Sequence, residues 1–400
     1  MGRFRRGAAV AFGTALALTL AACSGDSGGG SDAGPTGAGA AGAAPVAASG
    51  GAHDLRGACP ATVVVQTDWF AESEYGFLYN LLGPDAKVDT RKKRITGSLV
   101  SGGKDTGVNI EVRFGGPAIG YQQVSAQMYV DKSINLGIVS TDEAIQNSAS
   151  QPTRAVFAPF EVAPMMIMWD KAEHPNFTTL VDIGQTDTKV LYYETDAYMQ
   201  YLLGAGILRR GQVDGSYDGS PSRWVAEDGK VAEAGFATSE PYIYKNELGD
   251  GHSYDVNLQL VNDTGYPVYG QALSVRTGDE AKLAPCLTKL VPIVQRSQVD
   301  FLAHPQTANG LIIRAVKADA ASVWNYSPGL AAYAVQTMKN RALVSNGSNT
   351  TIGDMEQSRV NRMIQILTPI YAGQKKPVRS GLTPANLFTN QYIDTSIGLK

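Results

Sequence analysis

The chain has 400 residues, of which 44% are apolar and 18% are charged. A single hydrophobic core rarely grows much beyond roughly 250 residues, so this length and composition suit two α/β lobes and exclude a wholly disordered chain. The formal charge is −3 although Arg3, Arg5 and Arg6 add positive charge at the start, so the rest of the chain is mildly acidic. Because nucleic-acid binders need a basic face, the composition argues against that class of partner.

The first residues have the layout of a secretory signal. The three arginines precede an apolar run over residues 7–20, which is shorter than the roughly 20 residues of a membrane-spanning helix. Small residues then lead to Cys23, and in this the segment resembles a bacterial lipoprotein signal peptide with its lipobox. The resemblance implies removal of residues 1–22 and a lipid (palmitate) anchor on Cys23, at the extracytoplasmic face of the cell membrane. An uncleaved signal anchor is the alternative.

Residues 23–58 are predicted to form a flexible tether. From residue 24 to residue 52 the chain is almost wholly glycine, alanine, serine, aspartate, threonine and proline. Such a segment cannot bury enough apolar surface to offset its ordering entropy. A folded domain is therefore expected to begin near Cys59.

Two cysteines, Cys59 and Cys286, follow the tether. Because disulfides persist outside the cytoplasm, the two are predicted to pair, with two buried thiols or a metal site as alternatives. A metal site lacks nearby partners, since the histidines show no ligand spacing. These are His53, His174, His252 and His304. Neither zinc nor any other cofactor is predicted.

Strands followed by helices recur after Cys59, as a parallel sheet with crossover helices requires. Pro117 suits the first turn of a helix, and Ser140-Thr141-Asp142 can cap the helix after the third strand. Each strand ends in a polar or glycine-rich turn at one sheet edge, where ligands bind in open α/β sheets. The predicted elements are strands 61–67, 108–114 and 134–139 with helices 73–82 and 118–129.

A long apolar stretch, residues 155–169, is interrupted by Pro159 and Pro164 and has the character of a crossing between lobes. A second series of elements follows and ends in strands that carry the chain back. Helical periodicity dominates from residue 279 to about residue 371, and residues 382–400 form an irregular tail. The second series comprises strand 189–193, helices 195–206 and 222–231, strand 235–238, a helix opening at residues 239–241, and strands 258–262 and 269–276.

The resulting order passes from lobe one to lobe two and back to lobe one. The predicted boundaries place lobe one at residues 59–155 and 271–400, and lobe two at residues 156–270. Two crossings leave a cleft between the lobes, which suits hinge closure around a ligand.

Residues 67–79 (TDWFAESEYGFLY) lie where the first strand meets its helix. Here the chain resembles the solute-binding proteins of ABC importers, in the branch shared by sulfonate, nitrate and thiamine-pyrimidine binders. In that branch an Asp-Trp-aromatic-Pro-Asn segment leads to a His and then to Leu-Tyr. This chain has Ala71, Glu72 and Tyr75 where the pattern has Pro, Asn and His, and these positions face the ligand in the pyrimidine binders. The departures therefore argue against a pyrimidine as the ligand. Residues 235–242 (GFATSEPY) resemble a second-lobe segment of the same branch. The matching residues are Asp68, Trp69, Phe70, Leu78 and Tyr79.

The resemblance implies an α/β chain with a two-lobed, type II periplasmic-binding-protein-like fold and two interlobe crossovers. It also implies a monomeric binder that captures a small solute and delivers it to an ABC permease in the membrane. A non-enzymatic role is expected, since the cysteine cluster of the thiamine-pyrimidine synthase is missing. An enzyme related to that synthase and a lipid-anchored interaction protein are the alternatives.

The turns of lobe one supply the first candidate ligand-binding residues. Trp69 offers the best π surface for a planar ligand, with a core role as the alternative. Tyr75 and Tyr121 are further candidates, and packing at the lobe surface is their alternative. The glycines Gly115 and Gly116 would let backbone approach a ligand, or form an ordinary turn. Hydroxyls in the third turn either bind ligand or only cap a helix; they belong to Ser140 and Thr141.

The equivalent turns of lobe two carry acidic side chains. Such groups disfavour nitrate or a sulfonate unless a basic residue offsets them, and they make neutral or cationic ligands easier to hold. Arg113 and Arg154 can supply that charge, although arginines that flank strands usually face solvent. The candidate ligand-binding residues of lobe two are Glu194, Asp196, Ser239 and Glu240.

Overall fold

The computed structural model describes residues 46–47, 50–249, 251–319 and 324–400. The predicted signal peptide, Cys23 and most of the predicted tether lie outside the described residues. Folded structure begins upstream of Cys59, because Leu55 is fully buried and its N–H donates to the carbonyl of Thr106. Among the residues that the structure describes, no helix combines the length and apolar character that a membrane crossing needs.

The described strands form two sheets. In chain order the strands are β1 (Val46–Ala47), β2 (Thr62–Gln66), β3 (Lys87–Asp89), β4 (Arg94–Ser101), β5 (Lys104–Arg113), β6 (Leu136–Val139), β7 (Thr153–Phe157), β8 (Met165–Asp170), β9 (Val190–Leu191), β10 (Val213–Asp214), β11 (Ala232–Phe236), β12 (Val256–Leu260) and β13 (Ala272–Arg276). The first sheet has the order β3-β4-β5-β2-β6-β13-β7 with β1 beside β5, and the second has the order β10-β9-β11-β8-β12. Both sheets are mixed rather than purely parallel: β13 runs antiparallel to β6 and β7, and β8 runs antiparallel to β11 and β12.

Helices cover the sheets, and the described residues also contain short 3₁₀ turns. The helices are α1 (Gly76–Tyr79), α2 (Val124–Val130), α3 (Thr141–Gln146), α4 (Leu180–Gly184), α5 (Ala197–Gly204), α6 (Ser222–Ala226), α7 (Glu240–Asn246), α8 (Glu280–Ala303), α9 (Gln306–Ala318), α10 (Pro328–Asn340), α11 (Gln357–Gly373) and α12 (Pro384–Leu387). The 3₁₀ turns are Ser73–Tyr75, Gly116–Ile119, Val261–Thr264 and Thr277–Asp279.

The apolar pattern explains which faces of these elements are buried. The valines of β2 are buried, as expected for a central strand with covered faces. Alternate residues of β4 are buried, which is the pattern of a strand with one solvent-facing side. In α8 the buried leucines recur every three or four residues, so one face of the helix packs on the core.

A disulfide joins Cys59, just before β2, to Cys286 in α8, with an S–S distance of 1.98 Å. The predicted pairing is therefore confirmed. The bond ties the start of the first sheet to the long helix that follows the second crossing.

The chain passes between the sheets twice within the described residues, from β7 to β8 and from β12 to β13. Arg359 of α11 contacts both passages. Its guanidinium donates to the Glu161 carboxylate at 2.9 Å in the first, and to the carbonyls of Pro267 at 2.8 Å and Val268 at 3.0 Å in the second. The same group lies 3.8 Å from the ring centroid of Tyr269. One half-buried cation thus contacts both crossings.

The predicted helix 118–129 is wrong in its first half. A 3₁₀ turn at Gly116–Ile119 ends at Gly120, and α2 starts only at Val124. Gly120 and Tyr121 have φ values of 64° and 56°, a left-handed conformation that a continuous right-handed helix does not contain. The break directs the chain across the edge of the first sheet, beside the site described next.

Candidate functional site

A cavity of about 390 Å³ lies between the two sheets, lined by residues from both. The lining comes mainly from the segments that directly follow strands β2, β5, β6, β9 and β11. Ligand pockets in proteins commonly span roughly 300–1,000 Å³, so the space suits a small organic molecule. The location is the sheet edge at which the sequence predicts ligand binding.

Most of the predicted site residues line this cavity: Trp69, Gly116, Tyr121, Ser140, Glu194, Asp196, Ser239 and Glu240. The remaining three, Tyr75, Gly115 and Thr141, do not belong to the lining. Each of these three instead fixes a neighbouring part of the wall.

Tyr75 is fully buried and its hydroxyl donates to Oδ1 of Asp68 at 2.7 Å, so it orients a carboxylate that does line the cavity. Gly115 lies against the backbone, and a Cβ there would sit 2.3 Å from the carbonyl carbon of Asp68. Thr141 is buried as well, and its N–H donates to the carbonyl of Tyr269 at 3.0 Å. Through these contacts Tyr75, Gly115 and Thr141 support the wall of the cavity.

The turn after β2 is held rigidly. The Thr67 hydroxyl and the Gly115 N–H both donate to the carbonyl of Trp69, at 2.9 and 2.7 Å, and the Gly116 N–H donates to the carbonyl of Asp68 at 2.8 Å. A Cβ on Gly116 would lie 3.0 Å from the Trp69 indole, so the small residue permits close packing of the ring. The backbone pairing and this contact fix the position of the indole at the cavity wall.

Aromatic rings form a connected surface around Trp69, which is itself half-buried. Its ring centroid lies 5.9 Å from that of Tyr121 and 5.4 Å from that of Tyr193, which follows β9 of the second sheet. Tyr193 continues the surface to Tyr217, at 4.9 Å. Trp324 also lines the cavity and stacks on Phe70 at 5.2 Å. Trp69 is therefore in contact with residues of both sheets.

Carboxylates are the other main component of the wall. Four come from the side of the first sheet and four from the second, and the lining residues that the structure describes include no lysine, arginine or histidine. Among the described residues, none of these eight side chains makes a salt bridge. They are Asp68, Glu72, Asp142, Glu143, Glu194, Asp196, Asp218 and Glu240.

The two arginines considered from the sequence are engaged elsewhere. Arg113 donates to Glu111 at 2.6 Å and to Asp131 at 2.7 Å. Arg154 donates to Glu280 at 2.9 Å. Neither lines the cavity, so neither offsets its negative charge.

Burial shifts the acidity of the cavity carboxyls. Desolvation raises the pKa of Asp68 to about 6, and the pKa values of Glu143 and Asp196 to about 7. The pKa of Glu72 is raised well above its usual range, first by burial and then by the neighbouring charges of Glu74 and Asp68. Protons thus compete for these carboxylates near neutral pH.

Several of these groups are oriented by local hydrogen bonds. Asp142 accepts from the Tyr266 hydroxyl at 2.8 Å and from the Ser140 hydroxyl. Glu240 accepts from the Phe236 N–H at 2.7 Å. The donors are all neutral, so the hydrogen bonds position the carboxylates without neutralising them.

Sequence reasoning did not select many of the lining residues, among them Asp68, Glu72, Asp142, Glu143 and Tyr193. Two of these five belong to the segment 67–79, and two belong to the first turn of helix α3. A signal was therefore present, because each of the five lies within three positions of a selected residue. Their convergence from separate segments depends on the tertiary fold.

No protein-family model matches this chain, and neither does any curated protein sequence. Solved structures do match. The periplasmic aliphatic sulphonate binding protein SsuA from Escherichia coli aligns at 15% identity over 81% of this chain and 94% of its own, with a TM-score of 0.51. A protein from Bordetella bronchiseptica RB50 aligns at 14% identity over 83% of this chain and 96% of its own, with a TM-score of 0.50.

At such identities the likeness concerns the fold. The chain has the α/β fold of the periplasmic sulphonate binding protein, with two sheets joined by two crossings. The predicted two-lobed, type II periplasmic-binding-protein-like architecture is confirmed, as is the resemblance to the sulfonate-binding branch at the level of the fold.

Proposed function

We propose that this protein is the solute-binding component of an ABC importer, which captures a small organic solute outside the cytoplasm and presents it to a membrane permease. The observation that carries the proposal is the cavity between the sheets, lined from both sides and large enough for a small organic molecule. The fold shared with a periplasmic binding protein supports the same role. The proposed activity is binding, without a chemical step.

Capture requires the lobes to close around the solute. We propose lobe one at residues 59–155 and 271–400 and lobe two at residues 156–270, with the hinge at the two crossings. The aromatic contact between Trp69 and Tyr193 joins residues from the two sides of the cleft. A solute that contacts both walls binds the closed form more tightly than the open form and so shifts the population toward closure.

The proposal includes the route to the membrane. Residues 1–22 would act as a lipoprotein signal peptide, Cys23 would carry the lipid anchor, and the following segment would be a tether. A monomeric binder held in this way stays close to its permease at the extracytoplasmic face. The sequence supports this arrangement through the apolar run and the small residues before Cys23.

A thermal-shift screen tests the capture of a solute. The screen uses cationic, neutral and anionic small organic compounds on the parent protein and on Ala197→Trp, which places a large ring at a lining position. We expect at least one compound to raise the Tm of the parent and to leave the Tm of the variant unchanged. A chain that responds to no compound, or equally in both proteins, would contradict the proposal.

A further inference from the structure

The charge of the cavity points to the class of its ligand. Six carboxylates that are buried or half-buried face the space between the sheets: Asp68, Glu72, Asp142, Glu143, Asp196 and Glu240. The salt bridges among the described residues all lie elsewhere, and the lining contains no basic side chain. A buried carboxylate is costly in free energy unless it is paired with a positive charge or protonated. The described residues of the wall offer no such positive charge, so a positively charged ligand can provide it.

Glu72 shows this most directly. Its side chain is 2% exposed and lines the cavity, and its Oε1 has no hydrogen-bond partner among the described residues. An acceptor left without a donor loses the solvation that water gave it. A donor carried by a positively charged ligand would satisfy this oxygen.

The aromatic surface fits the same kind of ligand. The indole of Trp69 and the rings of Tyr121, Tyr193 and Trp324 line the same cavity as the carboxylates. Ring faces attract cations and also pack against apolar groups, so they favour a cation that carries carbon over a bare ion. Within the described residues, no three acidic, histidine or cysteine side chains are close enough together to hold a metal ion.

We propose that the cavity binds an organic cation, an amine or quaternary ammonium compound whose charge faces the carboxylates and whose carbon skeleton packs on the aromatic rings. This inference rests on the proposed capture of a solute and names its class. It separates this chain from the sulphonate binder whose fold it shares, because a sulphonate is an anion.

The same arrangement makes closure depend on the ligand. Glu72 belongs to the wall on the side of the first sheet, and Asp196 and Glu240 belong to the wall on the side of the second. In the empty protein, those carboxyl groups that are ionised repel each other as the walls approach. A cation between them converts this repulsion into attraction, so closure is favoured only when the ligand is present.

Isothermal titration calorimetry tests the charge assignment with matched probes. Choline is compared with its uncharged tert-butyl analogue, which has nearly the same shape, and putrescine is added as a primary diamine. Methanesulfonate and nitrate are the anionic probes. We expect one or both cations to bind and the anions to show no binding. Where choline binds, it should bind at least about tenfold more tightly than its uncharged analogue.

Two isosteric variants locate the effect. Glu72→Gln replaces a carboxyl group on one wall of the cavity, and Asp196→Asn replaces one on the opposite wall; both keep the size of the side chain. Each variant should weaken cation binding by about tenfold or more. Asp187→Asn changes an exposed carboxylate away from the cavity and should leave the affinity unchanged. Because each variant is tested separately, failure of one to fold leaves the other as the test.

The outcomes distinguish the two proposals. If an anion binds, or if the uncharged analogue binds as tightly as choline, the charge assignment is wrong and the capture of a solute stands. If cations bind but neither variant weakens them, the site is not this cavity. If no cationic, neutral or anionic probe binds, both the ligand class and the proposed function are wrong.

Discussion

Replacement of Trp69 by alanine separates a ligand-binding role of this ring from a core role. The indole is half-buried and contacts Tyr121 and Tyr193 at the cavity wall, with centroid distances of 5.9 and 5.4 Å. An aromatic pair is worth about 0.5–1.5 kcal/mol. The pair with Tyr121 lies on one side of the cleft and is lost from the open form as well, whereas the pair with Tyr193 joins the two sides. We therefore expect loss of the Tyr193 pair to weaken the bound, closed form by about 0.5–1.5 kcal/mol, so that the Kd for the best solute rises by roughly twofold to tenfold.

The assay combines calorimetric titration with urea unfolding of the empty protein. Trp69→Ala should weaken binding while the free energy of unfolding falls by no more than about 1.5 kcal/mol, the value of the lost contact with Tyr121. Trp224→Phe is the control, because Trp224 is fully buried against Tyr244 and Tyr254 and does not line the cavity. The control should lower stability and leave the Kd unchanged. A Trp69→Ala protein that loses about 3–5 kcal/mol of stability yet binds as tightly as the parent would refute the reasoning.

Four further predictions concern the disulfide, pH, the crossings and the anchor. Removal of the bond between Cys59 and Cys286, which are 227 residues apart, should lower the free energy of unfolding by up to about 5 kcal/mol in urea titrations, and a loss below about 1 kcal/mol would contradict this. Burial raises the pKa of Asp68 to about 6 and the pKa values of Glu143 and Asp196 to about 7, so the folded state binds more protons than the unfolded state in this range. The free energy of unfolding of the empty protein should therefore fall as pH rises from about 4 through about 7. An increase in the free energy of unfolding over that range would contradict this prediction. Arg359→Gln should lower the free energy of unfolding by about 2 kcal/mol and weaken solute binding, because it removes the hydrogen bonds that Arg359 donates to both crossings. Arg359→Lys should restore little of this loss, since lysine lacks the planar guanidinium group. Full stability in Arg359→Gln would show that Arg359 does not hold the crossings together. Cys23→Ser should release the protein from membranes, and sedimentation of the variant with membranes after an alkaline wash would disprove the lipid anchor.

The position of the site could be predicted from the sequence because strands with β-branched residues end in recognisable polar turns. Trp69 follows the valines of β2, Ser140 follows β6, and Ser239 follows β11 closely. In an open α/β sheet such turns meet at one edge. Local pattern and this general rule together were sufficient to select eight residues of the lining.

Other features depend on tertiary structure and carry weaker signals. The break between Gly116–Ile119 and α2 needs positive φ at Tyr121, which the apolar pattern does not indicate. Tyr75 is a plausible ligand contact by its place in the chain, yet its hydroxyl turns to Asp68. The pairing of Arg113 with Asp131 removes a positive charge that the sequence alone leaves available.

The negative charge of the cavity could be predicted from the sequence only in part. The acidic turns of the second lobe already favour a neutral or cationic ligand. The addition of Glu72, Asp142 and Glu143 from the first lobe becomes visible only when separate segments are brought together around one space. Spatial convergence, rather than the number of acidic residues, is what the sequence does not reveal.

Identification of the solute that the protein carries tests the central claim most directly. The full chain and its Ala197→Trp variant are produced in a bacterial host, purified without denaturation and then unfolded, and the released small molecules are identified by mass spectrometry. We expect the parent to release one organic cation in near-stoichiometric amount and the variant to release none. A stoichiometric anion from the parent, or equal release from both proteins, would contradict the capture of an organic cation in this cavity.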